Sequence, residues 1–306
     1  MEKIFIIVNP VSSNKVTAKE WPQFEKVLLG SGYEFEAALT ERPGHATELT
    51  RQALNAGYKT IMSVGGDGTM NEVVNGFFEG GKLMYEDSRL VVFSRGTGCD
   101  FIKTLGIKKG IEELLLTLER NEARKIDVGR VDFIDTVGKT VTRYFMNVAD
   151  IGLGAETANR VNKHSKLLKG FLSFMLGAVS TIILYKNKNF EVVIDDKTVL
   201  KARMNSVIIA NGKYFGGGMK VAPEALVDDG VFDIITLGDL SKLELIKSFP
   251  LIYEGKHLSH PKVKMYRGSK VKVRSNGEGL IEVDGEIPGS DDAEFELLPK
   301  VLNILV

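Results

Sequence analysis

The chain opens on Lys3-Ile4-Phe5-Ile6-Ile7-Val8, an almost unbroken apolar run. Such a run predicts a parallel strand buried on both faces. It stops at the polar turn Asn9-Pro10-Val11-Ser12-Ser13-Asn14-Lys15, after which a helix is predicted from about Thr17 to Leu29. The alternation then repeats. Tyr33–Leu39 reads as a strand, Pro43-Gly44-His45-Ala46 opens a helix through Ala56, and Ile61–Val64 and Arg89–Phe93 read as further strands before a helix from about Gly110 to Asn121. Strands alternating with helices predict an α/β domain with a mostly parallel sheet. From Arg124 the pattern changes: Lys125–Val131, Tyr144–Val148, Met204–Ala210 and Val231–Leu237 read as strands with few long helices between them. A second, β-rich domain is therefore expected over 127–298. The first domain would span 1–126 and be joined by a returning strand at 299–306.

One stretch resists assignment by period alone. Phe171–Leu184 is a fourteen-residue uncharged run, too short for the roughly 20 residues of a membrane span. It predicts a buried or half-buried helix. The alternative is a helix touching a bilayer or a lipid, favoured at an anionic surface by Lys163, His164, Lys166 and Lys169 before it and Lys186 and Lys188 after it.

Composition narrows the class. With 306 residues, 43% hydrophobic and 26% charged, the chain has the make-up of an ordinary globular protein with ample core. Lys+Arg and Asp+Glu both number 40, so no global field draws it to nucleic acid or to a membrane. The single cysteine, Cys99, excludes an internal disulfide and suits a reducing compartment. The opening strand follows no signal-peptide pattern, so a cytoplasmic protein is expected.

The chemistry concentrates where strands end. Ile61-Met62-Ser63-Val64 runs into Gly65-Gly66-Asp67-Gly68-Thr69-Met70-Asn71-Glu72, which reads as a strand, a tight turn and a helix start. Glycine lets the main chain approach a ligand, and the N–H groups of such a turn can cradle phosphate. Asp67 would repel phosphate, which makes sense if it holds Mg²⁺ or fixes the loop. After the fourth strand, Gly96-Thr97-Gly98-Cys99-Asp100-Phe101 offers a second glycine-flanked turn with a hydroxyl and a carboxylate. Asp228-Asp229-Gly230 is a turn before a strand. In Leu280-Ile281-Glu282-Val283-Asp284-Gly285-Glu286, a strand delivers Asp284 and Glu286 to one side if it continues, as suits a general base and an orienting partner; a charged hairpin turn is the plainer reading.

Gly65-Gly66-Asp67-Gly68-Thr69 with Asn71-Glu72-Val73 resembles the nucleotide-binding signature of the diacylglycerol kinase catalytic family, which includes soluble bacterial lipid kinases and sphingosine kinases. Five segments match in family order across essentially the whole chain. The resemblance implies an N-terminal α/β domain like that of NAD kinases and phosphofructokinases, a C-terminal β-sandwich, and ATP and substrate in a cleft between them. It implies nucleotide binding by Asn9, Pro10, Thr40, Gly65, Gly66, Asp67, Gly68, Thr69, Asn71, Glu72, Gly96, Thr97 and Asp100. Mg²⁺ would be organised by Asp67, Asp100 and Asp127. A structural Mg²⁺ would sit on the Asp229 carboxylate and the carbonyls of Leu226 and Val231. Asp284 would be the base that deprotonates a lipid hydroxyl, with Glu286 beside it. The chain departs from the family at Ser12, Ser13 and Asn14, where glycine is usual, and at Cys99, where asparagine is usual.

The implied activity is an ATP-dependent lipid kinase of phospholipid biosynthesis acting on diacylglycerol or a related lipid alcohol. Its expected partners are the lipid and a transient membrane surface, with no nucleic acid; a homodimer is an admissible assembly. NAD kinases share the Gly-Gly-Asp-Gly core and supply the rival enzyme reading, against which Asp284-Gly285-Glu286 and Asp228-Asp229-Gly230 argue. A non-catalytic, nucleotide-binding regulatory protein is the third reading, supported by Cys99 and the glycine-poor first loop.

Overall fold

The computed structural model describes residues 3–96, 98–135, 137–164, 171–275 and 279–306, with the backbone alone at 162–164, 171–176, 290 and 291. The chain divides into two compact units, residues 1–128 with 299–306, and residues 129–298. In the first, the N-terminal apolar run forms β1 (Ile4–Val8), buried at every position. There follow α1 (Ser12–Gly30), β2 (Phe35–Leu39), α2 (His45–Asn55), β3 (Thr60–Gly65) and α3 (Asp67–Gly76). A short hairpin of β4 (Phe78–Glu79) and β5 (Lys82–Leu83) leads to β6 (Arg89–Ser94), α4 (Asp100–Leu105) and α5 (Ile111–Arg120). β2, β1, β3 and β6 lie side by side in that order, all parallel, and Asn303 and Ile304 pair in parallel with Arg89 and Leu90 beyond β6. Trp21 and Leu28 of α1 and Leu114 and Leu118 of α5 pack with Ile4, Ile6, Met62, Val64 and Val91 of the sheet. The edge strand β2 stays partly exposed, which accounts for its weaker apolar pattern.

The start of α1 departs from a simple helix. Ser13, Asn14 and Lys15 have φ of 51°, 57° and 69°. This left-handed region costs ordinary residues about 1–2 kcal/mol each, less for Asn. The chain therefore takes a glycine-type backbone at three residues that are not glycine. Lys15→Gly is expected to raise stability by about 1 kcal/mol, read as a higher melting temperature. A fall instead would mean that the lysine side chain contributes more than its backbone costs.

β7 (Ala123–Asp135) carries the chain into the second unit. That unit contains β8 (Thr140–Phe145), β9 (Val148–Gly152), α6 (Leu153–His164), α7 (Phe171–Leu184), β10 (Lys188–Ile194), β11 (Thr198–Met204), β12 (Ser206–Ala210) and β13 (Phe232–Leu237). After α8 (Lys242–Ser248) come β14 (Val263–Gly268), β15 (Lys270–Arg274), β16 (Leu280–Val283) and β17 (Glu286–Leu305), the last returning to the first unit. One antiparallel layer runs β14-β13-β12-β9-β16-β17; β17 continues into pairing with β15 and β7, which carry β10, β11 and β8. Phe145, Ile151, Phe190, Val192, Ile209, Ile234, Val271 and Phe295 share one core between these layers, so the unit is a β-sandwich.

α7 packs against α6 and α8. Ala178, Thr181 and Ile182 are buried, whereas Ile183 and Leu184 are exposed, so its described face is half-buried. No described helix is long and apolar enough to cross a membrane. The basic segment expected to favour a lipid surface falls partly outside the described residues, since Lys166 and Lys169 lie there. Of the two readings of Leu280–Glu286, the structure takes the hairpin. The strand of Leu280–Glu286 does not continue but reverses at Asp284-Gly285, with φ of 48° and 93° and Val283 paired to Glu286. Asp-Gly has the positive-φ preference that a two-residue hairpin turn requires, and this outweighs strand continuation.

Candidate active site

From β1 the chain moves to β2 on one side and then to β3 on the other. Chain order thus reverses between β1 and β3, and ligands of open α/β sheets bind outside the carboxyl ends of strands at such a point. The exits of those two strands are tied together: Asn9 Nδ2 donates to Thr69 Oγ1 at 2.8 Å, and the Asn9 N–H donates to Val64 O at 2.9 Å. Pro10 continues the β1 exit, and Thr40 leaves β2 with its N–H on Val8 O at 2.9 Å.

The glycines are required by contact. A Cβ on Gly65 would stand 2.4 Å from Thr69 Oγ1, and one on Gly96 would stand 2.6 Å from the Cα of Gly66. The two glycine loops therefore sit backbone against backbone, where no side-chain rotation can relieve a clash. A tie from Arg95 N–H to Gly65 O at 2.6 Å reinforces this seating. Gly96→Ala is expected to lower the melting temperature and to weaken nucleotide binding at least tenfold, on the scale of a backbone displaced by overpacking, roughly 1–3 kcal/mol. Calorimetric titration with ATP checks it, and wild-type affinity would show that the loops can separate at little cost.

Asp67 opens α3 and reaches across to the second loop, where its Oδ2 accepts the Asp100 N–H at 3.3 Å. A Cβ on Gly98 would lie 3.4 Å from Asp67 Oδ2 and 3.6 Å from Asp100 Oδ2, so both carboxylates flank that glycine. Burial, and then the charge of Asp100, push the Asp67 carboxyl above its usual range, against the pull of backbone N–H groups at Asp100, Phe101 and Cys99. Lys103 Nζ holds Asp100 Oδ1 at 2.7 Å, and Lys109 Nζ reaches Gly96 O at 3.4 Å. Gly68 lies in the first turn of α3, and Thr97 lies outside the described residues.

Other sequence candidates serve the scaffold of the site. Glu72 accepts the N–H groups of Gly44 and Ala46 at 2.9 and 3.2 Å, capping the start of α2. Asn71 is buried and accepts from Asn75 Nδ2. Cys99 is fully buried at φ 52°, a left-handed position that asparagine tolerates well. Its thiol donates to Gly96 O at 2.8 Å, so it still pins the loop.

Two close carboxylates, one of them held above its ordinary range, form a hard oxygen donor set whose mutual repulsion a divalent cation would relieve, so Asp67 and Asp100 fit Mg²⁺. Asp127 is not brought to them. It is fully buried, and its Oδ1 accepts the Lys300 N–H at 2.7 Å. Among the described residues no group of three or more His, Cys, Asp or Glu side chains is gathered to hold a metal. The expected second Mg²⁺ site does not fit either. Asp229 Oδ2 is paired with Arg267, which also holds Asp233 at 3.2 Å, and Asp229 Oδ1 accepts the Val231 N–H at 3.3 Å. That carboxylate already faces a guanidinium and an N–H, so a cation shared with the carbonyls of Leu226 and Val231 would have to displace the arginine.

In the second unit, the Asp284-Gly285 turn presents a carboxylate held by three main-chain donors. Asp284 Oδ1 accepts from Asn147 N and Val148 N, and Oδ2 from Met146 N, each at 3.1 Å. Glu286 begins the next strand beside it. Sequence reading passed over two neighbours. Asp150 and Glu282 are 1% and 5% exposed and stand opposite each other on β9 and β16. Burial pushes Asp150 up to about 7, and burial followed by the surrounding carboxylates holds Glu282 well above the usual range. The available signal was a carboxylate inside an apolar strand, in Val148-Ala149-Asp150-Ile151 and Leu280-Ile281-Glu282-Val283. Lys103 was also missed, although its spacing of three from Asp100 on a helix brings the two together.

Comparison with known proteins agrees with this layout. Residues 3–131 match the diacylglycerol kinase catalytic domain, and residues 147–306 match the YegS C-terminal NAD kinase beta sandwich-like domain. The chain is 28% identical over 309 residues to a diacylglycerol kinase of Bacillus subtilis (strain 168), covering 100% of this chain and 97% of the relative. It is 27% identical to one of Staphylococcus haemolyticus (strain JCSC1435), covering 98% and 86%. Among solved structures, a diacylglycerol kinase of Bacillus anthracis str. Sterne superposes with a TM-score of 0.76 at 23% identity, covering 99% and 96%. An NAD kinase of Archaeoglobus fulgidus in complex with ATP gives 0.51 at 13% identity, covering 99% and 93%. Both structures are similar in fold.

Proposed function

Because the chain belongs to the diacylglycerol kinase catalytic-domain family, we propose that it is an ATP-dependent lipid kinase that phosphorylates the hydroxyl of diacylglycerol or a related lipid alcohol. The observation that carries this reading is the seating of Gly66 against Gly96 with the Asp67 and Asp100 carboxylates flanking Gly98. Phosphoryl transfer asks mainly for positioning and charge neutralisation, and this arrangement offers both. Main-chain N–H groups of the glycine loops bind the phosphates, and Lys103 and Lys109 add positive charge beside them. Asp67 and Asp100 would hold Mg²⁺, which supplies charge neutralisation on the phosphates when bound. Asp284 accepts the proton of the acceptor hydroxyl, oriented by its three backbone N–H donors, with Glu286 as its neighbour.

In this reading the substrate comes from a membrane surface, and the exposed Ile183 and Leu184 at the end of α7, next to Lys186, are the described residues suited to meet it. The kinship with NAD kinases is one of fold and carries no substrate. The test is transfer of label from the γ-phosphate of ATP, with Mg²⁺, to diacylglycerol, sphingosine, NAD or no acceptor in mixed micelles. Label on diacylglycerol is expected. Label on NAD alone would replace this reading with the NAD kinase one, and nucleotide binding without transfer to any acceptor would replace it with a regulatory role.

A further inference from the structure

β9 and β16 are antiparallel neighbours, and Glu282 lies directly across from Asp150. Directly opposed residues point to the same face with Cβ atoms about 5 Å apart, where two like charges repel. α6 packs against both strands, and both carboxyl groups are more than nine-tenths buried. Each has one oxygen in use. Asp150 Oδ1 accepts the Ala155 N–H at 2.9 Å and the Ser206 hydroxyl at 3.1 Å, while Glu282 Oε1 accepts the Gly285 N–H. Each also has one buried oxygen with no hydrogen-bond partner, Asp150 Oδ2 and Glu282 Oε2. A buried carboxylate oxygen left without a donor is costly, and two on facing residues share one remedy.

We propose that Asp150 and Glu282 form a single proton-sharing pair, Glu282 Oε2–H donating to Asp150 Oδ2, that positions the Asp284-Gly285 turn. One proton satisfies both orphaned oxygens and removes one of two facing charges. Asp150 is fixed to the start of α6 and to β12, and Glu282 grips the turn through Gly285, so the shared proton joins the turn to that framework. Glu282 is a positioning residue, acting through Asp284. The direction in which burial moves both groups agrees, as does the contribution of Asp150's charge to Glu282. The other charged groups carried by the elements around the pair are Asp284 at the turn, Glu286, Asp291, Asp292, Glu294, Glu296 and Lys300 on β17, and Glu156, Arg160, Lys163 and His164 on α6, Glu156 being paired with Lys188 at 3.7 Å and Glu296 with Lys270 at 3.2 Å. β12 and α7 carry no charged residue.

Acids held above their ordinary values favour the folded state while protonated. Their contribution is fully present below the unfolded values and is lost as pH rises through the folded ones. The wild-type melting temperature should therefore fall as pH rises toward about 7, the value to which burial pushes Asp150, and go on falling beyond it as Glu282, held well above the usual range, approaches loss of the shared proton. In Glu282→Gln the amide Nε2–H donates to Asp150 while Oε1 keeps the Gly285 N–H, with no shared proton left to lose above pH 7. The full-length variant should melt roughly 5 °C or more above wild type at pH 9, with a flattened pH profile. The infrared band of a protonated carboxyl, shifted by ¹³C-glutamate labelling, should be present in the wild type at pH 7 and absent from the variant. A wild-type slope in the variant, or no glutamate-labelled acid band in the wild type, overturns the pair. The band alone decides if the variant does not fold.

The consequence for turnover rests on the lipid-kinase reading. There, loss of the alkaline limb of kcat in Glu282→Gln, with KM for ATP unchanged, is expected. Absence of transfer to any acceptor would defeat the kinase reading, while melting and infrared measurements would still judge the pair.

Discussion

Asp67→Asn should reduce phosphoryl transfer about a hundredfold or more, the scale of losing one preorganised electrostatic group, while leaving the melting temperature unchanged or higher. The two halves of this expectation come from the same geometry. Asp67 is a carboxylate that burial and Asp100 hold above its usual range, so the folded chain gains from any change that removes its charge. The amide oxygen of Asn can still accept the Asp100 N–H that the carboxylate takes at 3.3 Å. What the amide cannot supply is the second negative charge beside Gly98 that a cation would bridge. Stability and activity should therefore move in opposite directions. The pH dependence has a definite sign: the wild type loses the stability linked to Asp67 as pH rises through its raised folded value, and the variant does not. Near-wild-type turnover at saturating ATP and Mg²⁺ would remove Asp67 from the proposed chemistry, and a large drop in melting temperature would make it a structural cap instead.

Asp284→Asn should lower turnover by about a hundredfold or more, as expected for loss of a positioned base. The structure adds a stability effect. The turn itself would not object, since Asn-Gly suits two positive-φ positions as well as Asp-Gly does. The carboxylate, however, receives the N–H groups of Met146, Asn147 and Val148 through both oxygens. An amide must turn its own NH₂ toward one or more of those donors, which should cost about 1–3 kcal/mol. Glu286→Gln, at the neighbour of the proposed base rather than at the base itself, should lower turnover less. ATP affinity, measured by calorimetry, should hold in both variants. Should Asp284→Asn lose stability as described yet keep most of its turnover, the carboxylate is an anchor for residues 146–148, and the proton acceptor is another group.

These two aspartates show what a sequence can and cannot reveal. β1 and β3 were legible because strands buried on both faces are written as unbroken apolar runs, and Asp67 because a charge among glycines needs a reason. The β-rich character of the second unit was legible from the change of period after Arg124. At Asp284 a hairpin turn and a continuing strand both stayed open, because the same residues satisfy both patterns and only the pairing of Val283 with Glu286 of β17 distinguishes them. α6 was missed since Leu153-Gly154-Ala155-Glu156-Thr157-Ala158 has a weak apolar stripe. The short helix α8 was missed although Ser241 and Glu244 form a capping box. Asp150 and Glu282 were invisible as a pair, since residues far apart in sequence meet only through strand register. Ser13 and Asn14 stand where the family resemblance expects glycine, which read as a changed loop, yet the backbone there takes the left-handed conformation that glycine favours.

The strand that completes the first unit's sheet has a consequence for synthesis. Residues 299–306 close the outer side of β6, and Lys300, itself at φ 48°, is fixed there by Asp127. All of residues 129–298 must be made before that edge is covered. While the ribosome is still building the sandwich, the nascent parallel sheet of the first unit carries an open edge at Arg89–Ser94, the kind of edge that pairs with the wrong chain. A chain cut short before Asn303 would leave that sheet without its outer strand, whatever the state of residues 129–298.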